Sequence, residues 1–211
     1  MKRLTIIISI ILLMLSACAL KISGSERSVV SQQFMTNEQI KTVIAQKTKI
    51  PKDKITDKYI WLQYVDIDED PELELLLSYR FGLHEGYFFI FDYQNGEYVN
   101  VFFRPWSVEK MSQKEVIYAS GNETVHTLTA NILQMQKGKV NIIWSGIYDK
   151  YDYSKLTNGM ETHGRYYIDT NGVLNYFYKV DKTNQNGIPV ETDYISERYI
   201  WDPGKNMFVK K

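Results

Sequence analysis

From Tyr59 onward the hydrophobic positions of this chain fall in short runs, many alternating with polar residues and broken by turn residues. A period of two places successive side chains on opposite faces, the pattern of half-buried strands. The pattern predicts strands at Tyr59–Val65, Leu73–Tyr79, Gly86–Tyr93 and Tyr98–Phe103. It continues with Glu115–Ala119, Val125–Gln136, Val140–Tyr148, Gly164–Asp169, Val173–Val180 and Tyr194–Trp201. Turn pairs separate them: Asn95-Gly96, Lys137-Gly138, Asn158-Gly159, Asn171-Gly172, Asn186-Gly187 and Pro203-Gly204. Asn-Gly tolerates the positive φ of tight hairpins. Before the strands, Ile40, Val43 and Ile44 repeat at helical spacing. Thr36 with Gln39 three residues on makes a capping box, and Pro51 cannot continue the helix, so a helix is expected over Thr36–Lys47. No helical pattern lies between the strands, which argues against a parallel α/β sheet. The expected fold is mainly β: an antiparallel meander, as a sandwich or a partial propeller-like sheet, with one N-terminal α-helix. It occupies residues 35–211 as a single domain.

The first residues follow a different pattern. Lys2 and Arg3 precede an almost wholly apolar run, Leu4–Leu15, broken only by Thr5 and Ser9. The run is short for a permanent membrane span and fits the core of a secretory signal. It closes on Leu15-Ser16-Ala17-Cys18, and Cys18 is the only cysteine in the chain. The segment resembles the lipobox of bacterial lipoproteins: an apolar residue, two small residues, then cysteine. The resemblance implies cleavage of residues 1–17, acylation of Cys18 with diacylglycerol and fatty acid such as palmitate, and retention on the outer face of the cytoplasmic membrane. Residues 18–34 carry scattered serines and charges without apolar periodicity, as a tether would.

Composition narrows the chemistry. Lys plus Arg equals Asp plus Glu at 25 each, so no net field draws nucleic acid. Loss of residues 1–17 removes two cations and no anion, leaving −2. A single cysteine excludes an internal disulfide and cysteine-based zinc sites. The chain has 16 Tyr, 9 Phe and 4 Trp, a bias that suits pleated surfaces. Tyrosines crowd residues 148–178, where one face of a sheet filled by rings, hydroxyls toward water, is the expectation.

One loop carries chemical content. Between the first two strands runs Val65-Asp66-Ile67-Asp68-Glu69-Asp70-Pro71-Glu72-Leu73-Glu74. Carboxylates at alternate loop positions can converge on one hard cation, and crowding them without one costs Coulomb repulsion. The stretch resembles the calcium loop of FG-GAP repeats, the units of integrin-alpha-like propellers, over about Tyr59–Tyr79. Asp66, Asp68, Asp70 and Glu74 match ligand positions, and the resemblance implies calcium, with a backbone carbonyl near Glu72 assisting. Pro71 stands where that family has glycine, and proline fixes φ near −65°. The alternative is a solvated acidic turn.

Other signatures are missing. His84, His126 and His163 show no helical zinc spacing, and surface or satisfied histidines are expected. No Gly-x-Ser-x-Gly elbow, phosphate loop or dinucleotide fingerprint occurs, so no organic cofactor is expected. The sequence therefore points to an extracytoplasmic lipoprotein of the cell envelope. Its role is expected to be a binding module for an envelope protein or polymer, with a calcium site of structural purpose. The other class is a cell-wall or carbohydrate-acting enzyme using the loop acids, which would need two carboxylates flanking a groove.

Overall fold

The computed structural model describes residues 32–122, 124–153 and 159–211. The chain divides into Met1–Gln32 and Gln33–Lys211, and the helix and strands belong to the second unit. Cys18, the expected signal segment and most of the expected tether lie outside the described residues. So do residues 154–158, the turn residue Asn158 among them.

The helix forms where its caps place it. Helix α1 spans Asn37–Thr48. The Thr36 side chain accepts from the Gln39 amide while the Gln39 side chain accepts from the Thr36 amide. Lys49 closes it in the left-handed region at φ 65°, and Pro51 follows two residues on. Two 3-10 turns, Lys52–Lys54 and Asp57–Tyr59, lead into the strands.

Among the described residues, twelve strands make two antiparallel sheets. The first sheet runs β1 (Ile60–Val65), β2 (Glu74–Arg80), β3 (Gly86–Gln94) and β4 (Glu97–Arg104) in chain order. The second holds β5 (Ser107–Met111), β6 (Glu115–Gly121), β7 (Val125–Gln136) and β8 (Lys139–Asp152). It continues through β9 (Gly159–Ile168), β10 (Leu174–Thr183), β11 (Pro189–Asp202) and β12 (Met207–Lys210), again in chain order. Each strand pairs with its sequence neighbour, so the topology is a meander broken once, at Pro105 between β4 and β5.

Alternation sorts the core into layers. On β2, Leu75, Leu77 and Tyr79 point to one face and join Ile40 and Ile44 of α1. Leu76 points the other way, packing with Phe88 and Ile90 of β3 against Val116, Leu133 and Met135 of the second sheet. The two sheets thus form a sandwich capped by the helix, not a propeller blade. In the second sheet, Ile117, Ile132 and Ile143 face away from the first and are covered by Trp144, Leu174, Tyr176 and Phe208. The middle of strands β6–β8 therefore carries buried residues on both faces, because the last strands curl back over it. The dense tyrosines belong to this third layer. Tyr148, Tyr166 and Tyr178 pack on it; the Tyr166 hydroxyl bonds Glu115, and that of the buried Tyr176 donates to the Ile147 carbonyl at 2.7 Å. No helix among the described residues is long and apolar enough to cross a membrane.

Candidate metal centre in the β1–β2 loop

The alternation that buries Leu76 also buries Glu74. It stands two residues before Leu76 on the face toward the second sheet, and none of its surface is exposed. One step beyond the Leu75–Phe91 pair, Asp92 of β3 occupies the same face, only 6% exposed. The loop from β1 is pinned over this spot by Ile67, which inserts into the core between the sheets. Its amide donates to Glu74 Oε2 at 2.6 Å. With Ile67 held inward, its neighbours Asp66 and Asp68 come to Glu74. Each of the three offers a carboxylate oxygen within 4.8 Å of the others.

The second sheet holds the loop from the other side. Gln113, between β5 and β6, donates to the Asp66 carbonyl. Lys114 pairs with Glu69 at 3.0 Å. Asp66 Oδ1 accepts from the Glu69 amide at 2.6 Å. Asp70 and Glu72 stand outside the trio: Asp70 Oδ1 accepts from the Glu72 amide at 2.9 Å. The loop's left-handed residue is Glu69, at φ 69°, and not the position of Pro71. The proline therefore sits in a backbone that does not ask it for positive φ.

Two acceptor atoms inside this cluster have no protein partner. Glu74 Oε1 and Asp68 Oδ1 are buried and unbonded. A buried carboxylate oxygen without a donor carries the full cost of its lost hydration. The electrostatics register that cost. Burial first, then the charges of Asp68, Asp70 and Asp92, push the Glu74 carboxyl up to about 7. Burial and the Asp70 charge also raise Asp68. Such a set, oxygen donors at short separation with unspent lone pairs, can hold a metal ion. Its acids lie closer together than a pair flanking a sugar ring, and Glu74 has no face on a groove.

Beside the loop a cavity of about 440 Å³ opens between Asp68 and the curled end of the second sheet. Its walls include Ile67, Ile132, Ile143, Trp201 and Phe208. Gln134, also in its lining, presents a buried Oε1 without a partner.

The three histidines fall at two places. His163 lies 3.0 Å from Asp149 and 3.6 Å from Glu161 on the second sheet. His84 and His126, 42 residues apart, meet each other. Sequence reasoning missed that meeting, and it missed Asp92. Both depend on strand pairing and not on local spacing. For Asp92 a signal exists: it follows the Phe88, Ile90 alternation by two residues.

The chain matches no protein-family model, no curated protein and no solved structure.

Proposed function

We propose that the protein is a lipid-anchored binding module of the bacterial envelope, shaped by a calcium ion in the β1–β2 loop. The observation that carries the metal reading is the burial of Glu74 with Oε1 unbonded, beside an unbonded Asp68 Oδ1. A cation supplies what the protein does not: a partner for both oxygens and an offset to their repulsion. Calcium fits better than magnesium or zinc. The donors are all oxygens, which zinc does not favour, and a loop site of mixed depth suits calcium's flexible 6–8 coordination more than a strict octahedron. Asp66, Asp68 and Glu74 would hold the ion, and its role is structural: it fastens the loop to both sheets. The resemblance of Asp66-x-Asp68 to calcium repeats points the same way. The address rests on Leu15-Ser16-Ala17-Cys18. The cavity beside Asp68, with apolar walls, a charged edge of Asp68, Glu69 and Lys114 and the unbonded Gln134 Oε1, is where a ligand of the module would sit.

The test is thermal unfolding of the full chain in calcium or chelator. Extracellular calcium modules bind at about 10⁻⁴–10⁻³ M. At ten times the dissociation constant, stabilisation is about 1.4 kcal/mol, seen as an upward shift of a few degrees. Asp68→Ala removes the shift. Coincident wild-type curves at millimolar calcium would reduce the loop to an acidic turn.

A further inference from the structure

We propose that His84 and His126 form a second, independent metal site, one that takes a zinc ion between the two sheets. His84 Nε2 and His126 Nδ1 lie 3.4 Å apart, with the ring centroids at 4.9 Å. That is at the long end for a hydrogen bond, since N–H···O bonds run 2.7–3.2 Å. It is the spacing that two nitrogens adopt around one tetrahedral zinc: bonds of 2.0–2.1 Å at the tetrahedral angle set them ~3.3–3.4 Å apart. A square-planar ion would draw the same pair to ~2.8–2.9 Å, which disfavours copper here. His84 Nδ1 is buried without a hydrogen-bond partner. Which of the two facing nitrogens carries a proton depends on the tautomer, and zinc on His84 Nε2 would place the His84 proton on Nδ1. Both rings are partly exposed, so an ion can enter from solvent, and water completes the coordination.

The backbone presents the rings already in place. His84 sits in the β2–β3 loop, where the amides of Phe81 and Gly82 both donate to the Glu85 carbonyl at 3.1 Å. The loop is tied to the second sheet by the buried Ser107, whose hydroxyl donates to the Leu83 carbonyl at 3.0 Å. His126 follows a tight connection in which Asn122 Oδ1 accepts from the Val125 amide at 2.9 Å. Gly121 there takes φ 119° and approaches Val125 too closely for a side chain. Each ligand thus comes from a different sheet, at the end of β2 opposite the acidic loop. Zinc would clip the sandwich at that end, closing a loop between residues 42 apart.

The experiment is a zinc titration of the purified full-length chain against a chromophoric chelator, with imidazole proton NMR as the second readout. The wild type is expected to bind one zinc that His84→Gln and His126→Gln each weaken more than about tenfold. Glu74→Gln retains it, which separates this site from the acidic loop. Because the chain has only three histidines, the NMR result needs no variant: zinc shifts the signals of two and leaves that of His163. Zinc affinity unchanged in both histidine variants, or a titration in which no pair of histidine signals moves, overturns the proposal.

Discussion

Glu74 ties the pattern of the sequence to the electrostatics of the site, through its own protonation. An ordinary glutamate loses its proton near 4.5, and here burial delays that to about 7. Between those values the folded chain keeps a proton that the unfolded chain releases. The folded state therefore binds more protons, and stability falls as pH rises through this window. Below pH 4.5 the effect is absent, and above pH 7 it is complete. At 1.36 kcal/mol per unit the loss comes to about 3 kcal/mol for the metal-free protein. Asp68, shifted in the same direction by burial and Asp70, adds to it. Glu74→Gln keeps an acceptor for the Ile67 amide and removes the charge. It should raise metal-free stability by about 2 kcal/mol at pH 8 and change it little at pH 4, in urea unfolding followed at both pH values. Lower stability of the variant at pH 8 would show that the charge is already compensated. The acids were legible in the sequence as ligand candidates. Their division was not, because it depends on Ile67 entering the core and on which face β2 turns toward the second sheet.

Among the elements, α1 shows most directly how local signals become packing. Its capping box fixes the start, and its two buried residues, Ile40 and Ile44, dock on Leu75, Leu77 and Phe89 of the first sheet. Ile44 is wholly buried, so Ile44→Ala should cost about 2–4 kcal/mol through lost transfer and a cavity. Thr36→Ala, which removes only the exposed cap, should cost about 1 kcal/mol. Denaturant midpoints of the two variants check the order, and a larger cost for the cap would mean the helix is held by its end more than by its face. Ten of the strands were legible from alternation. Strand β5 was not, because a bulge between Val108 and Lys110 breaks its period. Val108 and Met111, three apart, are both buried. Strand β12 is four residues long, too short to show a period. Strand β11 extends well before Tyr194 through Glu191, Thr192 and Asp193, exposed polar residues held in line by pairing with β10. There the partner strand, and not the residue's own preference, decides the conformation.

At the scale of the whole molecule, a meander read strand by strand does not show where one sheet ends and the next begins. The break falls at Pro105, which has no amide to donate to a ladder. Trp106 then turns into the interior, stacked on Tyr118 at 4.4 Å and beside Phe88. The curl that brings Phe208 onto Ile143 is a property of sheet twist and long-range burial, which no local pattern encodes. What the sequence states most directly about the whole protein lies outside the described residues: the anchor proposed at Cys18. Fully extended, the chain from Cys18 to Gln32 reaches at most about 50 Å, so an acylated Cys18 would keep the sandwich close to the membrane. Each buried methylene contributes about 0.8 kcal/mol, so two acyl chains hold where one binds only reversibly. Serine offers no thiolate for the acyl transfer. In a bacterial host fed labelled fatty acid, the wild type should carry label and partition with membranes. Cys18→Ser should carry none and persist as the longer precursor, its apolar Leu4–Leu15 segment still attached. Equal label on the two proteins would remove the anchor, and with it the envelope address, while leaving the metal sites to stand on their own measurements.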